Sequence, residues 1–392
     1  MHNYLRLLRD RSAALVCLAN LLAATGIGAY DLSVILHIRN ATGSLTWAGI
    51  VGGALTIGNA LGLTWQGQLL DRLGGRLLIP VTGLGCTAAG WALTTVPGDL
   101  PWILMLLAAL GGLLLPAVTT AARPTVDEVQ RNTGSVAGYA LLSLTFQLGL
   151  TVGPLLVSGV MIMADSRWAV RVSGLLLTAA GLLMIMVRTR PASPVPGRHR
   201  WSAAFVRLLA IAALSGFAGG LSRIGATGYA ARVGRVADVG LLLSAAAVGG
   251  IVGGLVYGAR TWPGRRDDQL RISLAVAAGI GVLMVPLTGL GAQLPAQVFI
   301  IVAVLFGASG LSSAPGGILT SVLVDSAVPY AARARGYAAM VSCSLVSSAL
   351  GSSIGGSLSD ALGPAAPFVC GAAAVTAAAM CVSRSGDAGP SG

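Results

Sequence analysis

The chain has 392 residues, of which 55% are hydrophobic and 10% charged; soluble domains carry roughly 25% charged residues. With a mean hydropathy of +0.82, that balance excludes a disordered chain, a collagen-like chain and a soluble multidomain enzyme. Three His and thirteen acids, Glu128 being the one glutamate, are too few for most metal or acid–base catalysis. The chain is therefore read as a non-enzyme, with no cofactor and no metal.

A membrane helix needs about 20 mostly apolar residues. By that rule twelve spans are predicted, at 13–37, 47–66, 77–95, 101–122, 136–161, 168–187, 206–230, 239–258, 270–289, 297–320, 336–358 and 367–383. Turn chemistry such as Pro97-Gly98-Asp99 and Leu362-Gly363-Pro364 marks the breaks. The first apolar run lacks a small-residue cleavage site and is read as a retained helix. Cys17, Cys86, Cys343, Cys370 and Cys381 all fall in apolar runs and match no zinc or redox spacing.

The net charge of +12 comes from Arg alone. These Arg are dispersed between apolar runs, so the chain is not read as binding nucleic acid. With the N-terminus inside, nineteen Arg fall on cytoplasmic segments and five outside, namely Arg39, Arg167, Arg171, Arg232 and Arg235, with Arg223 inside a span. That asymmetry orients both termini to the cytoplasm. The segment 188–207 carries five Arg among Pro and Gly and divides residues 1–187 from 208–392, six spans each.

The halves repeat. Thr64-Trp65-x-Gly67-x-x-x-Asp71 recurs as Thr261-Trp262-x-Gly264-x-x-x-Asp268, and Val51-Gly52-Gly53 as Val248-Gly249-Gly250, both displaced by 197. Val126-Asp127 with Gly138-Tyr139-Ala140 recurs at 198 as Val324-Asp325 with Gly336-Tyr337-Ala338. Parallel repeats of this kind are found in secondary transporters whose halves rock about a midplane site.

Between spans 2 and 3, Gly67-Gln-Leu-Leu-Asp71-Arg72-Leu-Gly74-Gly-Arg76 resembles the loop signature of the major facilitator superfamily. Gly67 is expected to let a helix end approach a neighbour, and Asp71 to face a helix N-terminus. Arg72 and Arg76 are expected at the lipid surface or on acids, and Gly74 at a turn. The resemblance implies an all-α membrane protein of twelve transmembrane helices in two pseudo-symmetric six-helix bundles, with this loop latching the inner side. In span 5, Gly149-x-x-x-Gly153-Pro154-x-x-x-x-Gly159 is similar to the export motif of that superfamily, although the pair of glycines usual after Pro is here Val157-Ser158 and a single Gly159. The Arg often found within span 4 of exporters is absent; Arg123 stands at its edge, where it could join Asp71 and Asp127.

Asp31 and Arg223 are charged residues inside spans, which default to functional roles. Spans 1 and 7 start about 193 residues apart, so the two charges are expected at similar depth, with Asp31 about 10 Å outward of its span centre. They are expected to pair at a closed outer gate, with protonation of Asp31 weakening the pair; snorkelling of both to the interface is the alternative. Tyr30-Asp31 is similar to the acid site of drug/proton antiporters. Asn20, Tyr30, Asn59 and Gln147 are candidate cavity residues, and the polar amides serve equally as glue between helices. Trp91, Trp102 and Trp168 are read as packing or interface anchors.

The function expected is proton-coupled efflux of a small drug-like or metabolite substrate by alternating access. The alternative is a proton symporter or facilitator that imports a small metabolite; a non-transporting membrane sensor or assembly factor ranks below both. The expected partners are the substrate, H+ and the lipid bilayer, and the expected state is a monomer in the bacterial inner membrane.

Overall fold

Long apolar runs punctuated by Pro and Gly leave the backbone one way to satisfy its polar groups in lipid, which is to close them into helices. The computed structural model describes residues 11–122, 137–187, 201–290, 295–329 and 333–382. The side chain of Asp71, the residues Arg123, Asp127 and Arg131, and most of the 188–207 segment lie outside the described residues.

Among the described residues twelve α-helices carry the spans, in chain order. They are α1 (Arg11–Thr42), α2 (Leu45–Leu73), α3 (Gly75–Leu93), α4 (Pro101–Leu113), α5 (Ala137–Met163) and α6 (Ser166–Ile185), then α7 (Ala203–Arg232), α8 (Val239–Gly258), α9 (Arg266–Leu290), α10 (Pro295–Ala327), α11 (Arg333–Leu362) and α12 (Ala366–Cys381). Eleven of the spans are long and apolar enough to cross a membrane; α12, of 16 residues, is shorter. Side chains cap the starts: Ser44 accepts from the Trp47 N–H, Asp165 from those of Arg167 and Trp168, and Ser202 from that of Phe205.

The fourth span departs from its expected form. Instead of one helix over 101–122, α4 ends at Leu113 and a short helical turn resumes at Val118. Pro116 lies between them; it has no N–H to donate and disfavours helix in the residue before it.

The chain divides into two units, Met1–Pro194 and Val195–Gly392, with six helices in each. In the first, α1 packs on α5 and α6, α2 on α4, and α3 on α6. Its core includes Val16, Ala19, Ile79, Leu142, Ala180 and Met184. In the second, α7 packs on α11 and α12, α8 on α10, and α9 on α10 and α12. Phe205, Leu270, Leu319 and Ala378 form one core there, and Tyr229, Phe299, Phe306 and Phe368 another. Large apolar side chains such as Leu106, Ile162, Leu255, Ile300 and Val304 remain exposed, as helices bathed in lipid require.

Glycine contacts give the register of the repeat. A Cβ on Gly28 would meet Leu150 O and Pro154 Cδ, and one on Gly220 would meet Ser348 O and Ser352 N. A Cβ on Gly153 would meet Thr25 O and Ala29 N, and one on Gly351 would meet Phe217 O and Leu221 N. So α1 maps onto α7 by a shift of 192 and α5 onto α11 by 198. Gly58 against Ala109 and Leu113 likewise matches Gly249 against Gly307 and Leu311, which maps α2 onto α8 by 191.

That last shift corrects the 197-residue match. Thr64 and Trp65 are helical residues of α2, whereas Thr261 and Trp262 stand in the irregular segment between α8 and α9. The loop joining the second and third helices is longer in the second unit, and the two Thr-Trp pairs occupy different places. The duplication is carried by the packing glycines.

Candidate functional site

The second unit holds a partly open cavity of about 630 Å³, lined by residues from all six of its helices. Small residues on α7 and α10, among them Gly219, Gly316 and Gly317, open the space. Its apolar wall includes Met284, Phe306, Met340 and Phe368, and hydroxyls come from Ser215, Ser222, Ser309 and Ser344. Arg223 is the one charged residue among those lining it. Its Nη2 donates to Ser348 Oγ of α11 at 2.6 Å, which orients the guanidinium.

The repeat register gives Arg223 a partner position. Shifting back by 192 puts it on Asp31, which is half-buried on α1. Leu345, another lining residue, maps by 198 onto Gln147, which is half-buried on α5. Asp31 and Gln147 thus stand at the first unit's equivalents of two positions that line the cavity of the second.

Two other candidates of the first unit, Asn20 and Tyr30, turn inward. Asn20 is fully buried. Its amide donates to Leu142 O and Thr145 Oγ1, both at 2.9 Å, and its oxygen accepts from Thr119 Oγ1 at 2.8 Å. It ties α1 to α5 and to the turn after α4. Tyr30, also fully buried, lies with its ring against Gly90 and Gly111 and its hydroxyl toward Cys86 O at 3.5 Å. Each of those glycines leaves space that a Cβ would take from the phenol. Asn59 is half-buried on α2, where its backbone N–H faces Gly112.

The loop motif divides by role. Gly74 ends α2 with φ +72°, a conformation that L side chains resist, and its N–H bonds to Leu70 O at 3.0 Å. Arg76 donates from Nε to Ile185 O at 2.9 Å and so caps the end of α6. Arg72 is exposed. Gly67 does not provide the expected close approach: no described atom lies within 4 Å of where its Cβ would stand. The close approach of α2 occurs at Gly58 and Gly62, against the backbone of α4.

Of the span 5 motif, Gly149 and Gly153 press on α1, where a Cβ would come within 2.7 Å of Leu21 O and 2.6 Å of Thr25 O. Pro154 cannot donate to Leu150 O, and Gly28 brings α1 up to that carbonyl. Gly159 faces open space.

One residue escaped the sequence reading. Gln66 is fully buried and serves the break after α4: its Nε2 donates to Leu113 O at 3.0 Å and Leu115 O at 2.8 Å, and its Oε1 accepts from Ala117 N at 3.0 Å. Among the described residues no group of three or more His, Cys, Asp or Glu could hold a metal ion.

The family model described as Major Facilitator Superfamily matches residues 16–351. Among solved structures, a point variant of the nucleoside transporter NupG is similar at a TM-score of 0.78 and 12% identity, covering 94% of this chain and 98% of that one. The xylose transporter XylE from E. coli, in its inward-open conformation, is similar at 0.69 and 15% identity, covering 94% of each chain. The human organic anion transporter MFSD10 is similar at 0.64 and 15% identity, covering 95% of this chain and 99% of that one. No curated protein matches the chain by sequence.

Proposed function

Because the chain belongs to the major facilitator superfamily, a family of membrane transporters, we propose that it exports a small, largely apolar metabolite or drug-like molecule by alternating access, driven by the proton gradient. The observation that carries this reading is the cavity of the second unit, with Arg223 its one charged lining residue and Asp31 at the matching position of the first. A mostly apolar wall with a few hydroxyls suits a substrate that sheds most of its water on entry.

In this mechanism Asp31 and Arg223 pair while both are charged. A proton taken up by the Asp31 carboxylate removes the attraction and frees the guanidinium to rearrange. While the pair is formed, the bond to Ser348 keeps Arg223 aimed. The export direction is supported by the Gly149–Gly153–Pro154 seam on α1, which matches the export motif in its glycine spacing. The protein is proposed to act as a monomer in the inner membrane, with both termini cytoplasmic, as the Arg distribution favours.

A second reading is import of a small metabolite by symport or facilitation. It is favoured by the likeness to a nucleoside transporter and a xylose transporter. Purified protein in liposomes with an imposed pH gradient separates the two. Export coupling predicts substrate movement against the proton flux, and Asp31→Asn should abolish the dependence on the gradient. Full gradient-driven transport by Asp31→Asn would end the proton role.

A further inference from the structure

Three of the five Arg that break the inside-positive rule belong to the first unit: Arg39 at the end of α1, and Arg167 and Arg171 one turn apart at the start of α6. We infer that Arg171, framed by Trp91 and Trp168, is a binding site for the phosphate of an anionic phospholipid, at the end of the first unit opposite the Gly67–Arg76 loop.

The frame is built. The Arg171 guanidinium carbon lies 5.6 Å from the Trp91 ring centroid and 5.3 Å from that of Trp168, so the cation is flanked by two aromatic systems. Its Nε donates to the buried Thr94 Oγ1 at 3.2 Å, which fixes the plane of the fork. Its terminal amino groups bond no described residue, and no described carboxylate pairs with it. The charge is partly buried and oriented.

The setting selects the ligand. Trp91 is 44% exposed and Trp168 53%. Trp47 and Trp102, which stack edge to face at 5.4 Å, stand at the starts of α2 and α4, the same end of the unit. Four indoles at one level mark the depth of lipid headgroups. A phosphodiester at that depth meets a guanidinium fork in the bidentate geometry the pair prefers, while its acyl chains lie along the exposed apolar faces of α3 and α6. Two acids stand nearby. Asp165 caps α6 and accepts from the Arg167 and Trp168 N–H groups, and Asp99 is on the exposed loop that reaches Ala41. Against Arg39, Arg167 and Arg171 they leave a net positive corner.

The test uses the full-length protein in nanodiscs of phosphatidylcholine with and without phosphatidylglycerol, reading thermal stability and, by native mass spectrometry, retained lipid. Phosphatidylglycerol should raise the midpoint of the wild type above that in phosphatidylcholine alone. Arg171→Gln should erase that increment and weaken lipid retention about tenfold, the loss expected for a charge-assisted contact. Trp168→Leu, which keeps the charge and removes one wall, should lose at least half of the increment and decides the matter should the Arg variant not fold. Arg232→Gln, changing an exposed Arg at the end of α7 in the second unit, should keep it. An unchanged increment in Arg171→Gln or Trp168→Leu overturns the site. Equal protection by inorganic phosphate overturns the lipid as its occupant.

Discussion

The side-chain amide of Gln66 on α2 donates a hydrogen bond of 2.8 Å to the carbonyl of Leu115, just beyond the end of α4. With its bonds to Leu113 and Ala117 it replaces helical bonding that Pro116 forbids, from a fully buried position. Gln66→Leu keeps much of the volume and strands two carbonyls and an N–H. The expected loss is about 2–5 kcal/mol, read as a fall in thermal midpoint and in detergent-extractable yield. A midpoint within a degree of wild type would show that the broken segment finds other partners.

The packing glycines should respond as equivalent pairs. Gly153→Val and Gly351→Val each drive a side chain into the backbone of the facing helix, and each should cost about 1–3 kcal/mol or block folding. Gly159→Ala, in open space on the same helix, should be tolerated. Expression and melting of the three variants check the register directly. Tolerance of Gly153→Val beside failure of Gly351→Val would break the proposed correspondence.

Within the loop motif, Gly67 and Gly74 should differ. Gly74→Ala places a Cβ on a residue at φ +72° and should destabilise by about 1–2 kcal/mol. Gly67→Ala, inside a helix with space around it, should be neutral or stabilising by up to about 1 kcal/mol. Melting curves of both variants separate a glycine required by backbone conformation from one that neither conformation nor packing requires.

The proposed charge pair has a reciprocal test. Asp31→Arg and Arg223→Asp should each reduce transport at least tenfold, because each leaves like charges or a lone charge in a poorly solvated place. The exchange of both should restore a measurable fraction. Flux assays on the three variants decide it; a double variant no better than the singles argues that the two residues act separately.

Much of the fold is legible in the sequence because lipid imposes one rule on every span, and the centres of all twelve predicted spans lie on helices, the fourth broken at Pro116. The duplication is legible too, but its register is not. The eye favours Trp and Thr, yet those matched residues sit in a helix in one half and a loop in the other, whereas the equivalent glycines are hidden within a total of 55. Tyr30 shows why neighbours in sequence make poor neighbours in space. One step along a helix turns the side chain by about 100°, which takes it away from Asp31 and into the core. Gln66 could have been found from the combination of Pro116 inside span 4 and a buried amide on the span that packs against it, since an interrupted helix in hydrocarbon needs a donor from elsewhere.

The twelfth helix carries a mechanical consequence for the membrane itself. Sixteen residues at about 1.5 Å each reach about 24 Å, against a hydrocarbon slab of about 30 Å. A span that short is met by a thinner bilayer along its flank or by flanking side chains that reach out to the headgroups, and shorter-chained lipids fit it at least cost.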